Sequence, residues 1–114
     1  MRQPSFASFD EFWAYYVGEH TRAGNRALHY VGFAAAMACL FTAAWQRAWL
    51  PLACAPLVGY AFAWLGHALI EHNRPATWGW PLWSLRGEVK MLWLACAGRM
   101  QAEVARVCPR ETCS

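Results

Sequence analysis

The chain has 114 residues, a net charge of +3 and 58% apolar residues, eight of them tryptophan. A water-soluble domain of that length buries only about two-thirds of its unfolded surface, so this apolar excess argues for one small domain, residues 1–114, that faces lipid. No basic stripe is interleaved with stacking aromatics, which excludes a nucleic-acid surface. The opening "MRQPSFASFDEFWAYYVGEH" carries acids and aromatics where a signal peptide has a basic start and an apolar centre, so insertion relies on internal helices.

Ser8 followed by Glu11 reads as a capping box opening a helix from about Phe9 to Glu19, with Phe9, Phe12, Trp13 and Tyr16 on one apolar face. Gly24 and Asn25 then offer a break. No Asp, Glu, Lys or Arg occurs from Ala27 to Gln46 or from Ala48 to Ile70, and roughly 20 such residues span a bilayer as a helix. The two runs read as spans joined by a tight turn at Gln46 and Arg47; the alternative is a soluble bundle with two buried helices. Trp45, Trp49, Trp64, Trp78, Trp80 and Trp83 flank them as interfacial aromatics do. Pro75 biases Arg74 toward an extended conformation, so the second span ends near His72. After a tryptophan-rich loop, "PATWGWPLW", Ser84 is placed to cap a last helix with an apolar stripe of Leu85, Val89, Leu92, Cys96, Met100, Val104 and Val107. Its uncharged core, Met91 to Gly98, is too short to span. From about residue 108 the tail is expected to fray. The expected fold is thus all-α: a small integral membrane bundle of a two-span hairpin, an N-terminal amphipathic helix and a C-terminal amphipathic or partly inserted one.

Arg22 and Arg26 precede the first span and Arg74, Arg86 and Lys90 follow the second, whereas the turn has only Arg47, so both outer flanks are expected to face the cytoplasm. The alanine, arginine and tryptophan usage suggests a GC-rich bacterial source and hence an inner membrane. Five cysteines lack metal-ligand spacing; Cys39, Cys54 and Cys96 read as small buried side chains, and Cys108 and Cys113 either pair or stay free.

His20 and His29 bracket the start of the first span, and His67 and His72 the end of the second, so a hairpin brings all four histidines to one membrane face. Neutral imidazole ligates iron, zinc, copper and nickel. On unbroken helices nine residues turn about 900° and five about 500°, so sharing a metal requires a break near Gly24 and an unwound end near Glu71. The spacing is not HExxH, which argues against a zincin-type hydrolase. Singly, each histidine has a plain alternative as a helix cap or a wet interfacial group; four together, with Glu19 and Glu71 adjacent, point to function. Arg26 and Arg74 are candidates for gripping a substrate carboxylate, Lys90 less specifically, and Glu71 joins the two arginines as a candidate catalytic group. Asn25 and Asn73 are candidates for orienting histidines or for serving turns, and Tyr30 for lining the site.

The blocks "EHTRAGNRALHYVG" and "HALIEHNRPATWGWPLWSLRGEVKM", with the hairpin between them, resemble the Mpo1-like membrane proteins, typified by a yeast 2-hydroxy fatty acid dioxygenase, over most of residues 6 to 100. The resemblance implies Fe(II)-dependent α-oxidation, in which a 2-hydroxy fatty acid and dioxygen give the acid one carbon shorter. It also implies that His20, His29, His67 and His72 hold the iron, and that relatives in eukaryotes reside in the endoplasmic reticulum. Acyl chains would enter from the lipid bilayer with the carboxylate near Arg26 or Arg74. Two other readings stand beside it: a diiron lipid hydroxylase or desaturase, and a non-catalytic membrane adaptor with a structural metal. The sequence leaves the oligomeric state open.

Overall fold

The computed structural model describes residues 5–75 and 78–108. Its regular elements are all helical: α1 (Phe9–Gly18), α2 (Ala23–Gln46), α3 (Trp49–Gly66) continued by a π-type turn (His67–Glu71), α4 (Pro81–Cys96) and α5 (Met100–Val107). They form two compact units, one of residues 22–73 and the other of residues 5–21 with 74–75 and 78–108.

The first unit is the expected hairpin. Arg47 turns the chain in a left-handed conformation (φ 51°), and its N–H bonds to the Ala43 carbonyl, satisfying a carbonyl that the end of α2 would otherwise leave open. The helices approach closely because small residues meet: a Cβ on Gly32 would lie 2.7 Å from Phe62 Cβ and 3.2 Å from the Gly59 carbonyl oxygen, and Ala43 and Ala55 are buried. Small residues at a helix–helix contact let the two backbones come close. Both α2 and Trp49–Glu71 are long and apolar enough to cross a membrane, yet only 17% of each apolar window is buried. Phe41, Leu52, Leu57 and Leu69 all stand exposed, as do Trp45 and Trp49 beside the turn.

In the second unit, the Ser8 hydroxyl accepts the Glu11 N–H and the Glu11 carboxylate accepts the Ala7 N–H, so the expected cap opens α1. Phe12, Trp13, Tyr16 and Val17 form the core with Met91 and Leu94 of α4 and Met100 and Val104 of α5. Gly87 lets α4 approach the Tyr16 ring, which lies 3.2 Å from where a Cβ would sit. Tyr16 Oη donates to Glu88 and Trp13 Nε1 to Glu103, both at 2.9 Å, so two core aromatics also have their polar atoms met.

Several local expectations are corrected. The break between His20 and His29 falls at Thr21 and the extended Arg22, and Gly24 and Asn25 already belong to α2. Helix α4 begins at Pro81, whose fixed φ and missing N–H suit a first turn; Ser84 lies buried inside it and caps nothing, and residues 81–83 of the expected loop are helical. The last helix is two, because Gly98 adopts φ 73° and ends the first. The buried stripe of α4 is Ser84, Gly87, Met91 and Leu94; Leu85 and Val89 of the expected stripe are exposed. Apolar side chains occur on two faces of α4, and the choice was made by the aromatic partners on α1. Cys96 is exposed rather than buried, while Cys39 and Cys54 are half-buried. Cys113 and the tail beyond residue 108 lie outside the described residues.

Candidate metal centre

The hairpin's open end is built by the segment His67–Asn73. Here α3 widens into one π-type turn, a local form found frequently at functional sites. His72 then takes a left-handed conformation (φ 60°), tolerated by histidine better than by branched residues. The His67 carbonyl accepts the N–H groups of both His72 and Asn73. This fold-back brings Asn73 Oδ1 to 2.6 Å from His67 Nδ1, where the ring N–H donates to it. The lone pair of His67 therefore sits on Nε2. Glu71 closes the same end by accepting the backbone N–H of Arg22 at 2.6 Å, a carboxylate at the start of α2 where the helix dipole favours it.

His29, two turns into α2, is buried and sets its Nε2 3.2 Å from that of His67, with the rings perpendicular. Two lone pairs do not face each other unless a proton or a cation stands between them. Imidazole nitrogens bound to one ion at about 2.1 Å stand about 3.0 Å apart at a right angle and about 3.4 Å apart at a tetrahedral one, so the observed spacing suits a shared ion.

One turn before His29, on the same face of α2, Asn25 is fully buried against Gly66, the residue preceding His67. A Cβ on Gly66 would lie 2.0 Å from Asn25 Oδ1. Neither Oδ1 nor Nδ2 of Asn25 has a hydrogen-bond partner among the described residues. Burying a polar group unmet costs about 1–3 kcal/mol, so such an atom calls for an explanation.

His20, just past α1, is also fully buried. Its Nδ1–H donates to the Tyr16 carbonyl at 2.6 Å and its ring stacks on that of Tyr16, which again places the lone pair on Nε2. One ring nitrogen from each of His20, His29 and His67 lies within 4.8 Å of the others, and this buried three-histidine group could hold a metal ion. The donor set fits one: neutral imidazoles, two of which give their other N–H to an oxygen, as metal-bound histidines usually do.

Comparison with protein-family models matches residues 6–100 to the family described as 2-hydroxy-palmitic acid dioxygenase Mpo1-like. The chain belongs to the Mpo1-like family. No curated protein and no solved structure matches it significantly.

The remaining candidates of this Mpo1-like chain lie outside the three-histidine group. His72, the fourth expected ligand, has an exposed side chain and is not in the three-histidine group; its backbone makes the turn that returns Asn73. Arg26 is buried and Tyr30 half-buried on α2. Arg74 is exposed, its guanidinium 4.5 Å from the Trp78 ring. Lys90 lies 4.4 Å from the Trp13 ring centre, a cation resting on an aromatic face. Sequence reasoning gave Asn73 as a candidate for orienting histidines or for serving turns, and its side chain bonds His67. It missed the Tyr16 carbonyl, which as a backbone atom leaves no residue-type signal, and Gly66, whose role shows only when Asn25 is seen against it.

Proposed function

We propose that this chain is a membrane-embedded, Fe(II)-dependent dioxygenase that converts a 2-hydroxy fatty acid and dioxygen to the acid one carbon shorter. The carbon leaves as carbon dioxide with one water, which balances the reaction. The observation that carries the reading is the group of His20, His29 and His67, with the Nδ1 protons of His20 and His67 held by oxygens, in a chain of this family. Iron would supply dioxygen activation and an anchor for the substrate headgroup; three protein ligands leave the positions both need.

The protein's part is to hold, orient and enclose. Asn73 and the Tyr16 carbonyl fix the tautomers of two ligands. Arg26 supplies a buried cation for the substrate carboxylate, and Arg74 a second at the rim. Glu71, tied to the α2 N-terminus, keeps the π-type turn against the start of that helix. The largely unburied apolar faces of α2 and α3 favour lipid over a water-soluble core as their surroundings, and they would let an acyl chain reach the histidines from the bilayer. The exposed Leu82, Leu85, Val89 and Trp93 of α4, beside Arg86 and Lys90, suit the membrane interface. With its arginine-rich flanks, the histidine end faces the cytoplasm. Among the described residues no carboxylate joins the metal-competent group, which favours a single iron over a diiron centre, where bridging carboxylates are the rule.

The test is the metal content and product of detergent-purified protein prepared without oxygen. About one iron per chain, and a product shortened by one carbon from 2-hydroxypalmitate once oxygen is admitted, are expected. Zinc, or no metal after reconstitution with Fe(II), together with no product, would overturn the reading in favour of a structural site in a membrane adaptor.

A further inference from the structure

We propose that Asn25 selects 2-hydroxy acids over unsubstituted fatty acids, its side-chain amide pairing with the substrate's 2-hydroxyl group. The inference rests on the dioxygenase reading and names the residue that reads the feature defining its substrate.

Position comes first. Asn25 and His29 are four residues apart, hence neighbours on one face of α2, and Asn25 lies against the residue preceding His67. Asn25 thus lies one helical turn from His29 and against the backbone residue that precedes His67, the two histidines whose Nε2 atoms are 3.2 Å apart. Its unmet state is the second observation. Asn25 is wholly buried, and neither of its polar side-chain atoms has a hydrogen-bond partner among the described residues. A fold that keeps a buried amide in that state has a use for it.

The chemistry of the two groups then decides between headgroup oxygens. A carboxylate only accepts, and a cation such as Arg26 matches it. A hydroxyl both donates and accepts, and a primary amide offers both complements in one side chain. Gly66 fixes the arrangement, since any larger residue would meet Asn25 Oδ1 where the amide now sits. A fatty acid lacking the hydroxyl leaves the amide buried and unpaired, which is the situation in which a site built for a hydroxyl discriminates strongly.

The experiment measures equilibrium binding of 2-hydroxypalmitate and of palmitate, without oxygen, to the Fe(II)-loaded protein in detergent, with the melting temperature of each sample. It compares wild type with Asn25→Ala and Asn25→Leu; leucine nearly keeps the volume and buries no polar atom. The wild type is expected to prefer the hydroxy acid at least about tenfold. Both variants are expected to bind the two acids about equally, with palmitate affinity retained, and Asn25→Leu to melt no lower than wild type. A variant that keeps the preference overturns the assignment to Asn25 and leaves the dioxygenase reading standing. Variants that lose palmitate as well and melt early make Asn25 a structural residue and also overturn it. A wild type with no preference, or no binding, overturns the dioxygenase reading itself and this inference with it.

Discussion

His67 donates its Nδ1 proton to Asn73 Oδ1 at 2.6 Å, six residues further along the chain. The bond orients the ring, fixes its tautomer and raises the basicity of the nitrogen left for a metal. Removing such an outer partner typically costs 10–100-fold in metal affinity. Asn73→Ala is therefore expected to bind Fe(II) about 10–100-fold more weakly with the fold retained, as read by chelator competition. Asn73→Asp, which keeps an acceptor, is expected to hold the metal at least as well as wild type.

His72 allows the ligand role and the turn role to be separated. Its side chain is exposed while its backbone sits at φ 60°. Glycine takes that conformation without strain, whereas a branched residue pays roughly 1–2 kcal/mol and favours another turn. If the backbone is what matters, His72→Gly retains metal and His72→Val loses part of it along with the Asn73 contact. Metal analysis of the two variants decides; loss in His72→Gly equal to that in His67→Ala would restore His72 as a ligand.

The hairpin was legible because absence of charge is itself a pattern, and two uncharged stretches separated by Arg47 leave little choice of topology. That histidines meet at the hairpin's open end was legible in the same way, from where the apolar runs begin and end, although all four were expected and three gather. The rotation of an α-helix demanded a break near Gly24 and an unwound end near Glu71 if the histidines were to share a metal; the break lies earlier, at Thr21–Arg22, and the end is a π-type turn. Which histidines gather was not legible, since His67 and His72 look alike in sequence and are separated only by the fold-back that buries one and exposes the other. The C-terminal half was read less well. Leu85 and Ser84 are neighbours, and only the aromatic surface of α1 determines that Ser84, Gly87 and Met91 face inward.

A second close approach within the hairpin, at Gly32, bears on stability. A methyl group on Gly32 would stand 2.7 Å from Phe62 Cβ and 3.2 Å from the Gly59 carbonyl oxygen, neither of them the end of a flexible chain. Gly32→Ala must push α2 and α3 apart, and overpacking of this kind costs about 1–3 kcal/mol. The variant is expected to unfold at lower denaturant in detergent. Gly59→Ala is expected to be milder, because a Cβ there meets Ala36 Cβ at 3.6 Å, an ordinary contact.

The last prediction concerns pH and the unit built on α1. Arg106 hydrogen-bonds the Glu103 carboxylate from one turn away, and Trp13 Nε1–H donates to the same group across the core. The Arg106 hydrogen bond is the main reason that the Glu103 pKa lies below the ordinary carboxylate value; burial opposes it and the Trp13 hydrogen bond adds to it. A carboxyl with a lower pKa folded than unfolded binds fewer protons in the native state. It contributes its full stability above the unfolded value of about 4.5 and loses it as pH falls through the lower, folded value. Glu103→Gln keeps an acceptor for Trp13 but has no charge to titrate. Acid unfolding followed by tryptophan fluorescence from pH 7 downward is expected to fall more steeply for wild type than for Glu103→Gln below about pH 4.5. Equal slopes would mean that the carboxylate at Trp13 is no better held in the folded protein than in the unfolded chain.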